Sequence, residues 1–72
     1  MRKLSPELLS RLRQLYPPKA RVRLVRMDDP YAPPLGTEGT VIHVDSLGTI
    51  HVQWDNGSAL GVAFDEDKCT II

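Results

Sequence analysis

A short run of charged and aromatic residues near the middle of the chain contains the best candidates for recognition chemistry. These candidates are Arg21, Arg23, Arg26, Asp28, Asp29 and Tyr31. Arg21 and Arg23 are two residues apart, so in a strand they project from one face about 6–7 Å apart. Tyr31 combines an apolar ring with a polar hydroxyl, a type of side chain enriched at protein interfaces. We therefore expect this segment to bind a partner, most simply a protein.

The residues that could support catalysis do not form a complete set. Cys69 lies in an apolar terminal segment, where we expect a buried and unreactive thiol. His43 and His51 are expected to face each other across a hairpin, as a solvated pair; a pH-sensitive pair and a metal site are the alternatives. Two histidines alone make an incomplete metal site. We expect no enzyme activity, no metal and no cofactor.

One amphipathic helix is predicted over residues 5–16. Ser5 is a good N-cap and Pro6 suits the first helical position, where a missing N–H costs nothing. Leucines recur at helical spacing along one side. Pro17 and Pro18 then end the helix.

After these prolines the hydrophobic period changes to two, which predicts a half-buried strand from Arg21 to Met27. Three prolines in residues 28–37 exclude a strand or helix there and predict a stiff loop. Stiffness lowers the entropy lost on docking, so this loop is the preferred protein-binding element, with Tyr31 at its tip. The alternative is that Tyr31 folds back onto the domain.

Two hairpins are predicted next. Gly48 suits a three-residue turn that pairs Asp45 with Thr49. The resulting register places one apolar set on the inner face, namely Ile42, Val44, Ile50, Val52 and Trp54. The second hairpin turns at Asn56-Gly57 and sets Trp54 opposite Ala59. A last short strand covers residues 69–72.

A mainly β, five-stranded small barrel over residues 20–72, with the helix at one open end, accounts for this order of elements. The chain has 72 residues, enough for a single domain. It has one cysteine and no apolar run of membrane-spanning length, so we expect a cytoplasmic protein without membrane contact. A monomer or a weak homodimer is expected.

Charge is segregated along the chain although the net charge is zero. Residues 1–26 hold eight basic residues and one acidic residue, a balance of +7, and residues 27–72 hold one basic and eight acidic, a balance of −7. One interpretation is that the two segments pack together on folding, so that basic and acidic side chains neutralise each other locally. The other is a nucleic-acid-binding strip using Arg21, Arg23 and Arg26, with Arg2 and Lys3 near in sequence. A pI of about 6.7 and 6% aromatic residues argue against that strip.

The segment Arg-Val-Arg-Leu-Val-Arg-Met-Asp-Asp-Pro-Tyr-Ala-Pro-Pro-Leu-Gly-Thr-Glu-Gly-Thr-Val, followed by Gly-Thr-Ile-His-Val-Gln-Trp-Asp-Asn-Gly-Ser, resembles an uncharacterised domain family. That family occurs in bacteria, phages and mobile elements. The resemblance covers about residues 16–72 and implies an SH3-like barrel without implying an activity. A weaker likeness to KOW-type barrels rests on Gly36 to Val41 and implies RNA or ribosomal-protein binding. We expect a non-enzymatic binding module, with an accessory or regulatory role that rests on the resemblance alone.

Overall fold

The computed structural model describes residues 4–72, so Arg2 and Lys3 lie outside the described residues. An antiparallel sheet of four strands and one helix are formed, in the order α1 (Pro6–Leu15), β1 (Arg21–Arg26), β2 (Glu38–Val44), β3 (Ile50–Trp54) and β4 (Lys68–Ile71). The strands lie side by side as β3-β2-β1-β4. The expected mainly β fold with one helix is confirmed, whereas these residues show an open four-stranded sheet in place of five strands in a closed barrel.

The helix forms where its sequence signals predict. Ser5 has extended backbone angles, and its hydroxyl accepts a hydrogen bond from Leu8 N–H at 3.2 Å. Tyr16 ends the helix, and its N–H donates to the Leu12 carbonyl at 2.9 Å. Leu12 is the buried residue of this helix, while Arg13 Nε donates to the Val44 carbonyl at 3.2 Å and ties the helix to β2.

The core lies under one face of the sheet, around Trp54. Trp54 is 1% exposed, as predicted, and its indole N–H donates to the Leu60 carbonyl at 2.8 Å. Val22 and Leu24 contribute the inner face of β1, since residues of a strand alternate between faces. His43 stays on the exposed side, so the inner and outer faces are assigned as predicted over this part of the sheet.

A β-bulge corrects the predicted register of the first hairpin. The predicted pairs hold from the turn as far as His43 opposite His51. Ile42 is then an extra residue, and Val41 takes its place opposite Val52. Ile42 is consequently 50% exposed and Val41 only 2% exposed, so the prediction of Ile42 in the core is wrong. A bulge inserts one residue and reverses the faces of the residues beyond it.

The second hairpin also differs from the prediction. Trp54 N–H donates to the Ser58 carbonyl, so Trp54 lies opposite Ser58 and not opposite Ala59. Gly57, at φ +94°, is the residue in the left-handed region, and Asn56 is not, which gives a three-residue turn. The expected strand after this turn is reduced to a single bridge between Ile50 and Val62.

Within residues 4–72, no helix has the length and apolar character that crossing a bilayer would require.

Candidate functional site

The loop of residues 27–37, which we call the proline loop, is anchored to the sheet at its C-terminal end. Gly36 N–H donates to the Leu24 carbonyl at 2.8 Å, and Leu24 N–H donates to the Thr37 carbonyl at 2.9 Å. Thr37 also donates to the Pro34 carbonyl, from its N–H at 3.0 Å and from its hydroxyl at 2.6 Å. Pro33 is buried. These contacts fix the loop backbone to β1.

The tip of the proline loop is organised by Asp29. Its carboxylate Oδ1 accepts a hydrogen bond from Tyr31 N–H at 2.8 Å, and its carbonyl accepts one from Ala32 N–H at 3.0 Å. This side-chain turn is a typical use of aspartate in loops. The Tyr31 side chain remains 82% exposed, so the alternative in which it folds back is wrong. Asp29 therefore holds the backbone that displays Tyr31.

Leu35 is a second apolar residue displayed by the same loop, at 65% exposed. Sequence reasoning missed it. The signal was present, because Leu35 stands between Pro34 and Gly36 in a segment that cannot form a strand or helix. A loop that displays both Tyr31 and Leu35 offers more apolar contact area than Tyr31 alone.

Arg21 is held in a network of ion pairs on the outer face of the sheet. Its guanidinium donates to both carboxylate oxygens of Asp55, at 2.6 and 2.9 Å, and lies 3.5 Å from Glu38. It also donates to the Thr40 hydroxyl at 3.0 Å. The hydrogen bond with Asp55 raises the pKa of Arg21, and the same bond lowers the pKa of Asp55. Arg21 is thus paired within its own fold.

The other two arginines differ in their surroundings. Arg23 lies 3.3 Å from Glu38, so it joins the same network. Arg26 forms no ion pair among residues 4–72; it lines a shallow cleft together with Asp28 and Asp29, to which residues 65–67 contribute further carboxylates. Besides Tyr31 at the loop tip, the other five candidate residues therefore fall into two groups. Arg21 and Arg23 stabilise the sheet surface, while Arg26, Asp28 and Asp29 lie together at the start of the proline loop.

His43 and His51 form the predicted pair. Their rings stack with centroids 4.4 Å apart and planes 8° from parallel, and His51 Nε2 lies 2.9 Å from Asp45 Oδ2. This hydrogen bond, together with donation from the N–H groups of Leu47 and Thr49, lowers the pKa of Asp45. No group of three or more residues suited to holding a metal ion occurs in the part of the chain that the structure describes.

Cys69 is buried in β4, and burial raises the pKa of its thiol to about 11. At neutral pH the sulfur is thus protonated, and a protonated thiol is a poor nucleophile. Tyr16 lies against it, with its hydroxyl 3.4 Å from the Cys69 carbonyl. Burial also raises the pKa of Tyr16.

The comparison with family models matches residues 5–72 to a domain of unknown function, DUF4314. The chain belongs to this family. A search of curated proteins and a search of solved structures each gave no match. The DUF4314 description carries no activity.

Proposed function

We propose that this DUF4314 chain is a non-enzymatic binding module that contacts a partner protein through the proline loop. The observation that carries the proposal is Tyr31, which is 82% exposed at the tip of a loop with a fixed backbone. Burial of a large exposed aromatic ring against a partner lowers the free energy of the complex. A backbone that is already ordered loses little entropy on binding.

Leu35 and the carboxylates of Asp28 and Asp29 extend the proposed surface. Leu35 adds apolar area, and the carboxylates supply a polar rim of the kind that surrounds buried anchors in protein interfaces. Arg26, which shares a cleft with both aspartates, completes the surface.

The ion pairs of Arg21 and Arg23 favour a protein partner over nucleic acid. A phosphate-binding strip needs cationic groups that are available to release counterions. Here Asp55 and Glu38 already neutralise two of the three arginines proposed for that strip. A titration with generic DNA and RNA at low salt tests the alternative, since binding that weakens steeply with added salt would favour nucleic acid.

We also propose that the sheet curls into a small SH3-like barrel. One contact outside the main ladders supports curvature, the bridge of Ile50 to Val62, which pairs the other side of β3 with the segment that follows it. A cytoplasmic location suits the single buried thiol of Cys69. An accessory role in bacteria, phages or mobile elements rests on the family resemblance.

The test is affinity capture of partners from the native host with three forms of the full chain: wild type, Tyr31→Ala and Leu47→Ala. Leu47 is a matched control, because it is also exposed, at 50%, but lies on the β2–β3 turn. We expect Tyr31→Ala to lose a protein that wild type and Leu47→Ala both retain. Equal capture by all three forms would contradict the proposal.

A further inference from the structure

The shallow cleft beside the proline loop is rich in carboxylates. Within residues 4–72, its charged lining residues are Arg26, Asp28, Asp29, Asp65, Glu66 and Asp67. The acidic ones come from two separate parts of the chain, the start of the proline loop and the segment just before β4. Folding therefore collects negative charge beside the loop that displays Tyr31.

The cations near the cleft do not cancel this charge. Even without Asp65, four carboxylates stand against Arg26 in the cleft and Lys68 in the adjoining groove, a balance of −2. Asp28 and Glu66 are exposed, and neither forms an ion pair with another residue of the described range 4–72. Their carboxylates are therefore available to a partner.

Asp29 connects the cleft to the tip of the proline loop. It lines the cleft, and its Oδ1 accepts the hydrogen bond from Tyr31 N–H at 2.8 Å. The ring of Tyr31, 82% exposed, is a surface on which an apolar side chain packs or an arginine stacks. An aromatic anchor and a negatively charged cleft thus belong to one continuous stretch of surface.

The two features contribute differently to binding. Pairs of exposed charges add little affinity, because water and salt screen them. They do raise the rate of association with an oppositely charged partner and disfavour a partner of like charge. Burial of Tyr31 and Leu35 therefore supplies the affinity, while the carboxylates of the cleft decide which partner is accepted.

We propose that the segment bound by the proline loop is basic. An arginine or lysine of the partner enters the cleft lined by Asp28 and Glu66, and a neighbouring apolar side chain packs against Tyr31. This inference rests on the proposed function and adds to it the chemistry of the partner. The charge complementarity that carries it involves Glu66, which lies outside the proline loop.

The test is selection from a displayed library of random short peptides against the full chain, followed by fluorescence anisotropy with a synthetic selected peptide. We expect arginine or lysine to be enriched close to apolar residues. Asp28→Asn and Glu66→Gln should each weaken binding of that peptide about threefold, which is within what an exposed charge pair contributes. Added salt should remove this difference from wild type.

Glu7→Gln is the matched control, because it makes the same change of net charge at an exposed carboxylate on α1, outside the cleft. It should bind the peptide as tightly as wild type does. Tyr31→Ala should weaken binding more than either substitution in the cleft, because it removes the anchor.

Selected peptides without arginine or lysine, or equal weakening by Glu7→Gln and Glu66→Gln, would overturn the basic partner. If Tyr31→Ala still lost such a peptide, the proposed function would stand without this inference. A basic peptide that Tyr31→Ala binds as tightly as wild type would contradict the proposed function itself. Self-association of the chain at low salt that excludes the peptide would make a second copy the occupant instead.

Discussion

Gly39 in β2 is a position where the packing of the sheet leaves no space for a side chain. A Cβ at this position would lie 2.6 Å from Cγ1 of Val52, 2.8 Å from Cε3 of Trp54 and 2.9 Å from the backbone oxygen of Gln53. The first two atoms belong to buried core side chains, so they cannot move aside without disturbing their neighbours.

We therefore expect Gly39→Ala to lower the free energy of unfolding by about 1–3 kcal/mol, measured by urea denaturation. Gln53→Ala, an exposed substitution on the neighbouring strand, should change it by less than about 0.5 kcal/mol. Stability of Gly39→Ala equal to wild type would show that Trp54 does not pack against β2.

Asp45 gives the fold a pH dependence through its side-chain hydrogen bonds. They lower its folded-state pKa below the ordinary value of 3.8. A carboxyl with a lowered pKa contributes stability above its unfolded-state pKa, and that contribution is lost as the pH falls through its folded-state pKa.

Asp45→Asn should accordingly be less stable than wild type by about 1 kcal/mol at neutral pH. The difference should shrink below pH 3.8 as the wild-type carboxyl becomes protonated. Urea denaturation of both proteins between neutral and acid pH measures this. A difference that stays constant across the range would exclude the ionised carboxylate as its cause.

At the scale of elements, turns and caps were predictable because each depends on a few neighbouring residues. Ser5 caps the helix, and Gly48 closes the first hairpin with φ +84°, as its position in the sequence indicates. The bulge at Ile42 was not predictable, because Val41 and Ile42 are both β-branched and apolar. A period-two pattern cannot show which of two such neighbours faces the core.

The predicted strand after Trp54 does not form, for a different reason. Its backbone is held partly by side chains, since the Trp54 indole donates to Leu60 and Asn56 Oδ1 accepts from Ser58 N–H at 3.0 Å. Such contacts offer the backbone an alternative to a strand ladder. At the candidate site, the sequence predicts the proline-rich loop but leaves open whether Tyr31 is exposed or folds back; tertiary packing decides this, and Tyr31 is 82% exposed. The partners of Arg21 likewise depend on tertiary packing.

The bulge can be tested with a pair of neighbouring substitutions. Val41→Thr buries a hydroxyl in the core and should cost about 1–2 kcal/mol of unfolding free energy. Ile42→Thr changes an exposed side chain and should cost less than about 0.5 kcal/mol. Urea denaturation of both variants decides between the registers, because an unbulged hairpin predicts the reverse order.

At the scale of the whole molecule, folding brings the basic and acidic parts of the sequence together. Arg21 belongs to the segment with a balance of +7, and its partners Asp55 and Glu38 belong to the segment with −7. Local neutralisation, one of the two interpretations of the charge pattern, therefore operates at Arg21 and Arg23.

A double-mutant cycle of Arg21→Gln and Asp55→Asn should show a favourable coupling at low salt. The coupling should weaken as salt is added, because both side chains are partly exposed and their attraction is screened. Urea denaturation of the four proteins at two ionic strengths measures it. No coupling at low salt would mean that the pair does not join the two segments.

The proposed function depends on a proline loop that is ordered before any partner binds. Backbone ¹⁵N relaxation of the free protein measures this order directly at Asp29, Tyr31 and Leu35. We expect order parameters close to those of the strands, about 0.85, despite the exposure of Tyr31. Values below about 0.6 across these residues would contradict a loop that is ordered in the free protein, because the partner would then have to order it.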